Sequence, residues 1–411
     1  MMEQPDDYTQ LLERYRFPGQ QPWVRPAYDG YSILNLVHSL LAHYGAGHDT
    51  PLAFHAAFAN ALRGRRKIMF LLVDGLGWSN LEGVRTRPAV DELVTRAVRW
   101  PLTSMYPSTT TTVTASYLSG LTAAQHGMLG FSMYFPEYGR PFNMLSFRAL
   151  EDDRVSLHDL GFHPEQFIGH PTILARLNEV GILARAYVSE RYAYNGLSQI
   201  TYHDCMPYAF NALGDLIGMS LDQLHADIPQ FLFAYWSFPD SIAHVHGWQS
   251  ASYFNEVEML ASVIQGQMLP RMDDDTALLV CADHGHMDGN DAEAIDLMVH
   301  HNLLELFRDP PAGEGMGLHL FLRPGTETYA RELLRMIPGL TVLTREEFLQ
   351  SRLLGEPPYH PGLQQRVGEL LLFPHGSRRI LYSYQQRPHT AMVGRHGGMM
   401  PEQMIVPLLI F

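Results

Sequence analysis

The sequence predicts a doubly wound α/β fold, with a mostly parallel central sheet and helices on both faces. Three observations carry that expectation. Short, continuous apolar runs alternate with stretches of helical periodicity. These runs lack the in–out alternation of a half-exposed strand, as expected for strands covered on both sides. Three of them end directly in carboxylate or imidazole residues, and open α/β sheets collect their ligands at the carboxyl ends of the strands.

Residues 1–65 form a helical preface, in which Tyr31-Ser-Ile-Leu-Asn-Leu-Val-His-Ser-Leu-Leu-Ala-His43 places apolar residues at helical spacing. Residues 66–411 form one catalytic domain. It opens with Ile68-Met-Phe-Leu-Leu-Val73, a buried parallel strand with Asp74 at its carboxyl end. Helical Thr172–Val180 is followed by the strand Ile182–Val188. Gln230–Trp236 runs into Pro239-Asp240, and Thr276–Cys281 runs into Asp283-His284. Residues 130–165, rich in aromatics and turns, read as a long excursion near the site. A small α+β insertion is expected over about 310–385, from Leu318–Arg323, helical Thr328–Met336 and Glu369–Phe373. The chain then returns with His396 and a final strand, Ile405–Phe411.

Composition bounds the function. A hydrophobic content of 46% with 18% charged residues describes an ordinary globular protein without a long disordered segment. A net charge of −14 argues against a stable nucleic-acid complex, which needs a basic face. It leaves phosphate substrates open, because divalent ions invert the local field. The 2 cysteines, Cys205 and Cys281, form no CxxC pair and read as small buried hydrophobes. The N-terminal residues lack a secretory pattern, and no apolar run approaches the roughly 20 residues of a membrane span, so a cytoplasmic location is expected.

The chemistry-bearing residues are weak signals singly. Asp240 and His244, four apart, would project to one side of a helical turn, yet such a pair also suits a solvated helix start. Asp283-His284 at a strand exit is stronger, since adjacent polar groups there seldom serve packing. Asp74-Gly75 reads equally as a turn, and His396, before Gly397-Gly398, as a loop histidine. Thr109-Thr-Thr-Thr112 is dense enough in β-branched residues for an exposed strand. Alternatively, Pro107-Ser108 starts a helix and sets these threonines at an N-terminus that favours a phosphoryl group. With 21 histidines in the chain, most are structural, and His126, His246 and His286 show no ligand pattern of their own. Together, hard oxygen ligands and neutral imidazoles make a zinc-compatible set that can activate a hydroxyl nucleophile.

Five ordered pieces resemble the alkaline phosphatase superfamily and, within it, the type I phosphodiesterase/nucleotide pyrophosphatase family. They are Val73-Asp-Gly75, the threonine run ending in Ser119–Gly127, Pro239–His244, Ala282–Gly285 and Gly394–Gly398. The resemblance implies an alkaline phosphatase-like fold and a metal-dependent phosphoric ester hydrolase. The family's nucleophile stands ten residues before the glycine matching Gly120, which implies Thr110, with Thr109 as competitor. One ion would be held by Asp240, His244 and His396, the other by Asp74, Thr110, Asp283 and His284. Two divalent ions are implied, zinc foremost and manganese as the alternative. The implied substrate is a small phosphoester, a nucleotide among the candidates. A phosphomonoesterase or phosphonate hydrolase with the same site is the alternative, and a non-catalytic metal-stabilised binding protein a remoter one. Val113 departs from the pattern, because the family carries an Asn there for the phosphoryl oxygen. Either another donor such as Asn143 replaces it, or the preferred substrate differs.

Overall fold

A computed structural model describes residues 8–19, 21–47, 56–384 and 392–411. Its centre is a seven-stranded sheet in the order Val98–Thr103, Ile405–Ile410, Thr276–Cys281, Lys67–Val73, Gln230–Trp236, Leu183–Ser189, Tyr208–Phe210. The strand Ile405–Ile410 runs antiparallel to both neighbours, and the other described pairings are parallel. The central strands are apolar without alternation, and Lys67–Val73 and Thr276–Cys281 are buried at every position. Such strands need helices on both faces, and the mixed α/β architecture supplies them.

Strand register decides where the chemistry collects. Val73 pairs with Trp236, and Leu72 with Cys281, so the three central strands end level. Asp74, the turn leading to Asp240, and Asp283-His284 therefore emerge side by side. Below them, Phe70 stacks on Phe233 at 5.6 Å and lies 5.4 Å from Tyr117. These rings form a rigid floor.

The threonine run is helical, not an exposed strand. The helix Thr110–Ser119 starts from an extended Thr109 and stops at Gly120, whose φ of 71° is the left-handed C-terminal conformation. Two of its hydroxyls tie it to neighbouring elements. Thr112 Oγ1 donates to Met128 O, and Tyr117 Oη to Ala282 O, which ties the helix to the exit of the strand Thr276–Cys281. β-Branched residues have only a weak preference against helix, and burial overrides it here.

Two further parts frame this centre. The buried helix Ile33–His43 contributes Ile33, Leu36, Val37 and Leu40 to the main core, while His38 Nε2 bonds to Gly120 O at 2.9 Å. A second, antiparallel sheet is built from Phe307–Glu314, Gly317–Leu322, Leu370–Pro374 and Leu340–Thr344. The helices Glu327–Arg335 and Arg345–Gln350 accompany it. Among the described residues, no helix is long and apolar enough to cross a membrane. Cys281 is buried as expected, whereas Cys205 is only partly so.

Two loops of the site touch backbone to backbone. A Cβ on Gly285 would stand 2.8 Å from Gly77 Cα and 2.8 Å from Asn80 Oδ1, so neither loop could hold its course. Gly285→Ala is expected to destabilise the fold by about 1–3 kcal/mol, the range of overpacking in a dense interior. Denaturant unfolding measures it, and a loss well below that range would show that the loops yield.

Candidate active site

Each functional side chain is aimed by the element that carries it. Asp74 leaves the strand Lys67–Val73 with its amide donating to Trp236 O, and Tyr235 Oη donates to its Oδ2. Asp240 and His244 share one face of the helix Phe238–His246, 3.3 Å apart. Asp283 Oδ1 accepts from the amides of Gly75 and His284, at 3.0 and 2.9 Å. His396 arrives on the loop after the short strand Gly394–Arg395.

All seven residues expected from the sequence meet here. The ligand atoms of Asp240, His244 and His396 lie within 4.8 Å of one another, and so do those of Asp74, Asp283 and His284. The His284 and His396 rings stack at 3.8 Å and 12°, which joins the two clusters. Thr110 Oγ1 lies 3.3 Å from His284 Nε2 and 3.4 Å from Asp74 Oδ2.

The arrangement fits cations. Backbone carbonyls face the Nδ1 atoms of three histidines: Gly394 O for His244 at 2.9 Å, Ser108 O for His396 at 3.2 Å and Gly285 O for His284 at 3.3 Å. A carbonyl only accepts, so Nδ1 carries a proton, which leaves each Nε2 on the inner side as the atom that can offer a lone pair to a cation. Those of His244 and His396 then face each other at 3.1 Å. Among the described residues, three carboxylates crowd the same space without a Lys or Arg ion pair, and the buried Asp283 Oδ2 accepts no hydrogen bond. Inward lone pairs beside uncompensated carboxylates are a ligand set for divalent ions of the zinc or manganese kind.

Titration follows from the same crowding. Burial, then the charges of Asp240 and Asp283, raises the Asp74 carboxyl well above its ordinary range. Burial also opposes charge on Asp240, but His244 and His286 outweigh it and hold that carboxyl well below. His396 is pushed well down by burial and by His284 and His244, which keeps it in the neutral, ligating form.

Several participants were not expected. His286 Nε2 donates to Asp240 Oδ1 at 2.8 Å, and burial lowers its ring to about 4, so it orients the carboxylate as a neutral donor. Asn80 clamps His286 through its backbone, accepting from the amide at 2.9 Å and donating to the carbonyl at 3.1 Å. Glu314, from the second sheet, hydrogen-bonds Thr109 and accepts from Phe131 N; burial raises its carboxyl. Only the Asp-His-Gly-His spacing hinted at His286; the other two have no local signal.

One sequence expectation is corrected. Asn143 does not replace the missing Asn: its Oδ1 accepts from the Leu145 and Ser146 amides in a turn, and it does not line the cavity. Val113 is fully buried in the main core. Tyr106, Tyr134 and Trp236 are core residues, Tyr134 stacking on Phe321 at 3.9 Å, so none offers a face to a base. Above the cluster opens a cavity of about 560 Å³ whose wall is largely apolar. Arg379 and Arg395, the two arginines among the described lining residues, both bond Asp291.

A family model, "Type I phosphodiesterase / nucleotide pyrophosphatase", matches residues 68–399. No curated protein matches the chain significantly. Murine ectonucleotide pyrophosphatase/phosphodiesterase 5 is similar over 84% of this chain and 87% of its own, at 20% identity and a TM-score of 0.64. An inactive variant of that protein, in complex with AMP, matches at 19% identity and a TM-score of 0.64, with the same 84% and 87% coverage. Phosphonoacetate hydrolase from Sinorhizobium meliloti, in complex with phosphonoformate, is similar over 84% of this chain and 89% of its own, at 18% identity and a TM-score of 0.58. At such identities these likenesses bear on the fold. The family match spans most of the chain and contains every residue of both clusters. The chain belongs to the type I phosphodiesterase/nucleotide pyrophosphatase family of the alkaline phosphatase superfamily.

Proposed function

We propose that this hydrolase cleaves phosphodiesters with Thr110 as the nucleophile, and that two divalent ions, zinc foremost, occupy the clusters. Asp240, His244 and His396 would hold one, and Asp74, Asp283 and His284, with Thr110, the other. Bound there, the ions supply Lewis acidity that lowers the pKa of a nearby hydroxyl and offsets charge growing on the phosphoryl oxygens. The observation that carries this reading is the placement of Thr110 Oγ1, against Asp74 and His284 at a helix N-terminus.

Thr110 gives its hydroxyl proton to solvent, and its Oγ1 attacks phosphorus in line with the ester oxygen that leaves. The P–O bond to that alcohol breaks, the alcohol departs with the electron pair and takes a proton from solvent, and Thr110 carries the remaining phosphoryl ester. Water then attacks the same phosphorus, the P–Oγ1 bond breaks, and a proton from that water restores the Thr110 hydroxyl as the phosphate monoester leaves. The first-turn amides at Thr111 and Thr112 have no acceptor within the helix and can donate to the phosphoryl oxygens. His286 and Tyr235 hold Asp240 and Asp74 in place throughout. A dianionic monoester is the poorer fit, because the cavity's arginines already bond Asp291. The cytoplasmic location expected from the sequence is compatible with two free thiols.

Thr110→Ala is expected to lower kcat at least about a thousandfold, the scale on which losing a nucleophile registers. Its melting temperature should stay near wild type. Thr110→Ser should retain part of the activity, and Thr109→Ala and Thr111→Ala should be milder. A dead Thr109→Ala beside an active Thr110→Ala would move the nucleophile by one residue.

Elemental analysis of the purified protein should find about two divalent transition-metal ions per chain at full occupancy. His396→Ala and Asp283→Ala should each lose about one, and a chelator should abolish turnover reversibly. A metal-free protein after reconstitution with zinc and manganese would defeat this reading.

A further inference from the structure

Among the described residues, the carboxylates that line the cavity are Asp74, Asp240 and Glu314, and only Glu314 belongs to neither cluster. It comes from the hairpin tip of the second sheet, Gly313-Glu-Gly-Met-Gly317, where Glu314 pairs with Gly317. The tip is fastened on both flanks. Ser132 Oγ donates to Gly313 O at 2.6 Å and accepts from Gly313 N at 2.9 Å, while Ile380 N donates to Gly315 O at 2.7 Å. The side chain is fixed as well. Its Oε1 accepts from Phe131 N at 2.9 Å, and the carboxyl hydrogen-bonds Thr109. Glu314 is nonetheless only partly buried, and it forms part of the cavity wall.

That position touches both halves of the site. Thr109 immediately precedes Thr110, and a Cβ on Gly397, the residue after His396, would collide with Glu314 Oε2. The carboxyl feels the charge of one histidine from each cluster, His284 and His244. Among the described residues no Lys or Arg pairs with it, since both lining arginines bond Asp291. Burial raises the carboxyl, so its charge is fullest at alkaline pH. A phosphodiester brings one negative charge to the site and a monoester dianion two. A carboxylate that cannot swing away opposes each added charge, and a largely apolar wall screens that opposition poorly. An unpaired like charge set against the wrong partner is a general device of selectivity.

We propose that Glu314 is a specificity-determining residue, whose carboxylate turns the site towards singly charged phosphodiesters by repelling the second charge of a phosphomonoester. This role rests on the phosphodiesterase reading above, and it makes the second sheet a determinant of which phosphoester is accepted.

The test compares a diester, p-nitrophenyl methyl phosphate, with a monoester, p-nitrophenyl phosphate, using the full chain with zinc at alkaline pH. Wild type should prefer the diester. Glu314→Gln keeps the side-chain size and an acceptor for Phe131 N but removes the charge. It should lower the diester-to-monoester ratio of kcat/KM roughly tenfold, the scale of one like charge at close range in a partly screened site. The change should come chiefly from faster monoester turnover. Glu314→Ala should move the ratio the same way, and Glu314→Asp, which keeps the charge, should hold it near wild type. Inorganic phosphate, a dianion at that pH, should inhibit the two neutral variants more strongly than wild type. A ratio unchanged in both neutral variants would mean that Glu314 only braces Thr109, which overturns the proposal and leaves the phosphodiesterase reading intact. A wild type that does not turn over the diester, or that prefers the monoester, overturns the parent reading and the proposal with it.

Discussion

Three carboxylates held together, with no Lys or Arg beside them among the described residues, are the constraint on which the rest of the site depends. Asp74 and Asp283 are buried, and Asp240 is nearly so. Like charges this close oppose one another, and burial raises the cost of each. Among the described residues, the protein answers with imidazoles, not with Lys or Arg, and turns their inner nitrogens towards the carboxylates. That choice keeps the centre rich in lone pairs and in carboxylate oxygens. It leaves compensation to cations and ties assembly of the site to their binding.

The fold makes such crowding tolerable by rigidity. Level strand ends fix where the acidic residues begin, and the phenylalanine and tyrosine floor resists collapse beneath them. The threonine helix is pinned twice in its last turn: Tyr117 reaches the carbonyl of Ala282 beside Asp283, and His38 holds the carbonyl of Gly120. The N-terminal region, outside the stretch matched by the family model, therefore steadies the helix that carries Thr110. The second sheet contributes Glu314 at the threonine helix and Gly313–Met316 at the cavity wall, so it bears on what enters more than on the chemistry itself.

Much of this was legible because it is local. A continuous apolar run followed by Asp or Asp-His states both a buried strand and its functional end, and the register of the central sheet then brings those ends together without further information. The threonine run was ambiguous between strand and helix, since its composition favours the former; Pro107 and Gly120 mark the ends that the helix uses. What stayed hidden acts at a distance in sequence. His286 looked like a surplus histidine until Asp240 stood beside it. Asn80, Tyr235 and Glu314 gain their meaning only from residues more than a hundred positions away. The misplaced expectation for Asn143 has the same cause: an Asn beside turn residues serves the turn, and its side chain is spent there.

A threonine nucleophile means two displacements at phosphorus, one by Thr110 and one by water. Each in-line displacement inverts the phosphorus centre, so the pair retains it. The most direct test is the stereochemical course of hydrolysis of a chiral phosphorothioate diester in isotopically labelled water. Net retention by the wild-type protein is the expected result. Net inversion would mean that water attacks in a single step and that Thr110 is never esterified, which would contradict the account at its centre.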